Sequence, residues 1–219
     1  MRRRAGFTLI EVLIAVAVMA MITGMLWYSF SQTFKAIDRV QEDADMYRQA
    51  RQVTSRVPGE LAGAFLPTIT SPTSQVKYEF VAEDDGDTDR VRFVSIAHTK
   101  LYTDANESDQ AEIEYFTEPD RKRPGLYRVM RRVDAVPDDR PEEGGATFVV
   151  AEGVKEFNLS WYDANKDTWV DYWDTTKIEH NQRLPYSVRL LVTMVDSRGE
   201  DRTWATAAMI RLAKPSDPR

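Results

Sequence analysis

The chain has 219 residues, 42% of them hydrophobic and 29% charged, with a formal net charge of −6. These proportions exclude a disordered chain, and the acidic balance argues against nucleic acid, since binding polyphosphate needs a basic face. Cysteine is absent, which excludes disulfides, thiolate metal sites and cysteine nucleophiles.

Arg2, Arg3 and Arg4 open the chain. From Phe7 to Leu26 the only polar side chains are Thr8, Glu11 and Thr23. A helix of that length is about 30 Å long, one hydrocarbon core. Each apolar residue favours insertion by about 0.3 to 0.6 kcal/mol, against a cost of about 3 kcal/mol for an acid at the helix centre. Glu11 lies nearer the end, so the segment still inserts. The arginines hold the N-terminus in the cytoplasm and send the rest of the chain across. A removable signal peptide, cut near Ala15-Val16-Ala17, would place its small residues inside the apolar run rather than after it. A plain anchor leaves Glu11 without a purpose, and an intramembrane acid is a functional-site hypothesis by default.

Beyond Trp27 and Tyr28 the apolar period continues through Phe30, Phe34, Ile37, Val40, Ala44, Tyr47, Ala50, Val53 and Val57. Spacings of three and four predict an amphipathic helix, packed mainly on the protein's own head and in part on a partner. Pro58-Gly59 is its first strong interruption. The remainder reads as short strands: 76–81, 90–97, 111–116, 125–131, 147–151, 154–162, 184–195 and 203–212. Residues 119–124 and 197–201 join hairpins. With no βαβ alternation, the fold class is α+β, one long helix followed by antiparallel sheet.

Catalytic chemistry finds no constellation. His98 and His180 lie on separate elements and read as ordinary structural residues. Ser95 and Ser187 lack a nucleophile-elbow setting, and no Gly-rich phosphate loop appears. Asp163, Asn165, Asp167, Asp171 and Asp174 supply oxygens at the spacing of a calcium loop. Thr168 stands where that loop needs glycine, and a solvated turn is the competing reading. Apart from calcium, no cofactor is expected. The cluster Asp84, Asp85, Asp87 and Asp89 reads as a solvated loop. Trp161, Trp169 and Trp173 suit a sheet core or a protein interface, with Trp169 and Trp173 on one face of a strand.

The run Gly6-Phe7-Thr8-Leu9-Ile10-Glu11-Val12-Leu13-Ile14-Ala15 resembles the class III signal of type IV pilins and type II secretion pseudopilins. Four further segments, 125–129, 159–163, 169–173 and 184–189, occur in the order seen in J-type minor pseudopilins of type II secretion. The resemblance implies a pilin-like fold: leader 1–6, transmembrane helix 7–26, periplasmic amphipathic helix 27–65 and β head 66–219. It implies cleavage after Gly6 and N-methylation of Phe7 by a prepilin peptidase, with Glu11 pairing to a neighbour's N-terminal amine. It also implies a structural subunit near the pseudopilus tip that helps start assembly, not an enzyme. The partners implied are I- and K-type minor pseudopilins, the major pseudopilin and the inner membrane. A minor pilin of a type IV pilus is the nearest alternative, and a membrane-anchored periplasmic binding module or enzyme the next.

Overall fold

A computed structural model describes residues 8–67, 76–96 and 110–213. The leader with Gly6, together with Phe7 and His98, lies outside the described residues. The chain divides into two units, Met1–Ala44 and Asp45–Arg219, and one helix, α1 (Leu9–Leu61), contributes to both. In the first unit every described residue from Thr8 to Phe30 is exposed. In the second, Met46, Ala50, Val53, Val57, Pro58 and Leu61 are buried at spacings of one helical turn, so one stripe of the helix enters a core.

The apolar stripe is therefore split. Phe30, Phe34, Ile37, Val40 and Tyr47 are all more than half exposed, whereas Ala50, Val53 and Val57 are fully buried. Own-head packing holds only for the later part. Nor does Pro58 end the helix, which continues to Leu61. Proline removes one helical hydrogen bond, and burial of Val57, Pro58 and Leu61 offsets that loss.

Among the described residues nine strands follow: β1 (Phe80–Glu83), β2 (Arg90–Ser95), β3 (Ala111–Pro119), β4 (Tyr127–Asp134), β5 (Ala146–Asp163), β6 (Thr168–Val170), β7 (Trp173–Asp174), β8 (Ser187–Val195) and β9 (Asp201–Met209). They form one sheet in the order β7-β1-β2-β3-β4-β5-β8-β9, with β6 beside β5, and these neighbours all pair antiparallel. The sheet curls. The loop before β2 reaches β5, where the Asp89 and Phe157 main chains bond at 2.9 Å and those of Phe157 and Asp87 at 2.7 Å. Phe80 packs against Phe93, its cross-strand partner, and edge-on against Trp161 at 5.1 Å.

The sequence pattern divides β5 into two strands at Glu152-Gly153. The structure makes one strand of 18 residues with a bulge there. Gly153 has φ +70°, and the pairing register shifts on both sides of it. Before the bulge β5 pairs with β4, and after it with β8. The amides freed by the bulge find side chains instead: Glu152 N–H donates to Gln49 Oε1 (2.7 Å), and Gly153 N–H to Asp120 Oδ2 (3.3 Å).

A carboxylate fastens the helix end to the sheet. Glu60 Oε2 accepts from the Tyr115 hydroxyl of β3 (2.7 Å) and from Arg131 Nε of β4 (2.9 Å), and its Oε1 accepts from Arg56 (3.1 Å). Burial, with the Glu60 charge beside it, pushes the Tyr115 hydroxyl well above its ordinary range, so it stays a donor. Main-chain bonds complete the join: Phe65 N–H to Val94 C=O (2.8 Å), Ile96 N–H to Gly63 C=O (2.9 Å) and Arg211 N–H to Ala62 C=O (3.1 Å). Glu60→Gln leaves the buried Arg131 without its counter-charge, at an expected cost of about 3 kcal/mol. Chemical denaturation should show a lower midpoint, and Arg131→Met added to that variant should recover part of it.

Candidate functional site

The helix start carries a reciprocal cap. Thr8 N–H and Thr8 hydroxyl both donate to Glu11 Oε2, at 2.8 and 3.0 Å, while Glu11 N–H points back to Thr8 Oγ1 at 3.4 Å. This is a capping box, in which residues three apart satisfy each other's exposed donors. The signal was legible, as Thr8-Leu9-Ile10-Glu11 fits the Ser/Thr-x-x-Glu pattern, yet composition draws attention only to the acid. Beyond the cap the helix includes an 18-residue stretch of mean hydropathy 2.4 with nothing buried. The face formed by Glu11, Val12, Ala15, Val16 and Met19 is apolar apart from the carboxylate.

The proposed calcium ligands are not brought together. Asp163 and Thr168 are cross-strand partners in a β5–β6 hairpin, while Asp174 pairs with Val81 of β1. A calcium loop would need Asp163 and Asp174 to close on one ion, and the strand pairing sends them to different neighbours. Among the described residues no three His, Cys, Asp or Glu side chains are placed to share a metal. Each carboxylate has other partners. Asp171 accepts from Ser160 (3.3 Å), Asp174 from Thr176 N–H (2.8 Å) and hydroxyl (2.6 Å), and Asp167 from the Tyr162 hydroxyl.

Asp163 is fully buried and held by a two-pronged bond from Arg183, Nη1 to Oδ1 at 2.5 Å and Nη2 to Oδ2 at 3.0 Å. The Arg183 guanidinium holds its carboxyl down at about 2. The same guanidinium lies 4.7 Å from the Trp173 ring centre, and Trp173 Nε1 donates to Arg183 C=O at 2.8 Å. His180 is also buried, stacked on Trp173 at 4.1 Å, with Nδ1 accepting from Asp174 N–H at 3.4 Å. Burial lowers its pKa, and Nδ1, the acceptor of that bond, is an unprotonated nitrogen. The two tryptophans expected on one strand face separate: Trp173 enters the core from β7, and Trp169 sits half-buried on β6 under Arg189 (4.2 Å). The bend at Asp171 interrupts the alternation. Arg183, the residue that organises this corner, lies 20 positions from Asp163 and had no sequence signal.

Two family models match the chain. One, described as Type II secretion system (T2SS), protein J, covers residues 29–206, and the prokaryotic N-terminal methylation motif covers residues 1–27. The chain belongs to the type II secretion protein J family. J-family proteins are minor pseudopilins, which separates this chain from the minor pilins of type IV pili. A chain of the GspK-GspI-GspJ complex crystal structure, from the enterotoxigenic Escherichia coli type 2 secretion system, shares its fold: TM-score 0.51 at 13% identity, covering 77% of this chain and 99% of that one. Comparison with curated proteins finds no match. The methylation motif and the apolar helix give the J-family chain a single-pass inner-membrane anchor.

Two measurements test the Asp163 corner of this J-family head. A carboxyl lowered in the folded state contributes stability above its unfolded pKa, near 3.8, and loses it as pH falls through about 2. Asp163→Asn should therefore cost about 2 to 3 kcal/mol at neutral pH, with the difference from wild type closing in strong acid. Added calcium should leave the melting temperature of the full-length protein unchanged; a saturable rise absent from Asp163→Asn would restore the metal.

Proposed function

We propose that this chain is a structural subunit at or near the pseudopilus tip, where it joins I- and K-type minor pseudopilins and helps start assembly on the major pseudopilin. The match of the protein J family model to residues 29–206 carries this reading. Its fold is that of a chain in a structure described as a GspK-GspI-GspJ complex, which supports the choice of partners. In this reading it has no catalytic role and requires no cofactor. Three arginines keep the N-terminus cytoplasmic, and the acidic head lies in the periplasm. The net charge supports that division, because residues 1–26 contain three arginines and one glutamate while the other 193 residues are strongly acidic.

A prepilin peptidase cuts after Gly6 and methylates Phe7. Glu11 then serves two roles in sequence. Within one chain it caps the helix through Thr8. On assembly it pairs with the N-terminal amine of a neighbour, since an unpaired charge in lipid is costly. The exposed apolar positions from Phe30 to Val40 then meet neighbouring helices.

Co-expression with a prepilin peptidase should yield a chain lacking residues 1–6 with a methylated Phe7, read by mass spectrometry. An unprocessed chain would refute pseudopilin maturation. Glu11→Gln retains a capping acceptor at the third helical position but loses the charge. It should insert and be processed as wild type, yet co-purify poorly with the I- and K-type subunits. Assembly at the wild-type level would assign Glu11 to capping alone.

A further inference from the structure

The two faces of β3 differ in chemistry, yet both are buried. Ala111, Ile113 and Tyr115 face the core shared with α1, and Glu112 and Glu114 face the other way at 4% and 5% exposure. An outward-facing carboxylate on an antiparallel sheet is normally wet. Here the segment 135–145, joining β4 to β5, covers it as a strap. Asp138 N–H donates to Glu112 Oε1 (3.0 Å), and Lys77 N–H donates to Asp138 C=O (2.8 Å). Farther along, Arg92 holds Glu142 (3.1 Å), and Arg132 donates to the carbonyl of the buried Pro141.

Beneath the strap the two glutamates are treated differently. Glu114 lies among cations: Arg132 Nε at 2.9 Å and Arg90 at 3.0 Å, with Arg92 its cross-strand partner on β2. Glu79, also buried, takes Lys77 and Arg92 at 2.7 and 2.8 Å. Among the described residues Glu112 has no such company. Its cross-strand neighbours are Val94 on β2 and Asp134 on β4, and its strap partner is Asp138, a further acid. Arg132 is the cation acting on it from β4, and that side chain is committed to Glu114 and to Pro141. The Asp134 and Asp138 carboxylates accept local turn amides, from Val136 (2.9 Å) and Arg140 (2.6 Å).

We propose that Glu112 is a proton-operated latch for the strap 135–145, holding it against β2–β4 when protonated and releasing it when ionised beside Asp134 and Asp138. The neutral acid still accepts the Asp138 amide, while ionisation places an unpaired charge in a dry site opposite a like charge. Burial raises the Glu112 carboxyl to about 7, with the Asp138 and Asp134 charges adding to the rise and the Asp138 amide and Arg132 opposing it. A raised acid contributes its full stabilisation below its unfolded pKa, near 4.5, and has lost it once pH has risen through about 7. The closed strap thus belongs to acidic conditions. Its release exposes a face built from Glu79, Arg92, Glu114 and Arg132, so the charged surface offered to partners depends on pH. The latch is a property of the head and stands apart from the chain's place in secretion.

Hydrogen exchange of the strap amides in the full-length protein in detergent tests it, comparing wild type with Glu112→Gln at each pH so that intrinsic exchange cancels. Glutamine keeps the acceptor for Asp138 N–H and cannot ionise. The ratio of wild-type to variant exchange rates should rise by up to about tenfold per pH unit between pH 5 and 7, then level off. A ratio flat across that range would overturn the proposal. Should Glu112→Gln lose its native circular dichroism, Asp134→Asn replaces it: removing the opposing charge should move the levelling point to lower pH, and an unmoved profile would overturn the latch equally.

Discussion

The bond network around Glu60 is the constraint on which the head depends. A helix that is apolar, exposed and long for most of its length has only its last turns with which to join a sheet. Burying Ala50, Val53, Val57 and Leu61 supplies adhesion without direction, because the hydrophobic effect is itself non-directional. Glu60 supplies direction. Its carboxylate can reach the Tyr115 hydroxyl and the Arg131 guanidinium together only in one rotation and one axial position of the helix. The main-chain bonds of residues 62–65 then continue from that fixed point into β2 and the turn after β9.

The sheet solves a related problem on its other side. Antiparallel sheets usually leave one face to water, but β3 is covered twice, by α1 within and by the strap outside. The outer layer is made of ion pairs, alternating in sign from Glu79 just before β1 to Arg92 on β2, Glu114 on β3 and Arg132 on β4. Alternation lets every buried charge find a partner, and Glu112 stands where it fails. The corner at Asp163 follows the same logic with a single pair, a bidentate Arg183 and a tryptophan on which the guanidinium can rest.

Much of this was legible in advance, for physical reasons. Twenty apolar residues behind three arginines admit few alternatives, and strand periodicity survives wherever one face is buried. The outline of α+β, most strands and both hairpins followed from local pattern alone. Other features depended on contacts distant in sequence. Asp163 read as a calcium ligand because spacing along the chain shows its neighbours but not Arg183. Trp169 and Trp173 alternate as though on one strand, although a bend at Asp171 gives each a different partner. Pro58 carries a strong local signal, overruled by the burial around it. Glycine 153 reads as a break because a positive φ suits a turn and a bulge equally well.

That glycine has a consequence for how the head tolerates sequence change. A strand is a counting device, since adding one residue turns every later side chain to the opposite face. In β5 the count restarts at the bulge, which already absorbs an odd residue and takes its missing bonds from Gln49 and Asp120. An insertion or deletion between Ala146 and Ala151 therefore scrambles the pairing with β4 without propagating to Phe157, Leu159 and Trp161. The β1–β4 part and the β8–β9 part share one strand and one core yet keep separate registers along that strand, so a slip in the pairing of one does not shift the pairing of the other.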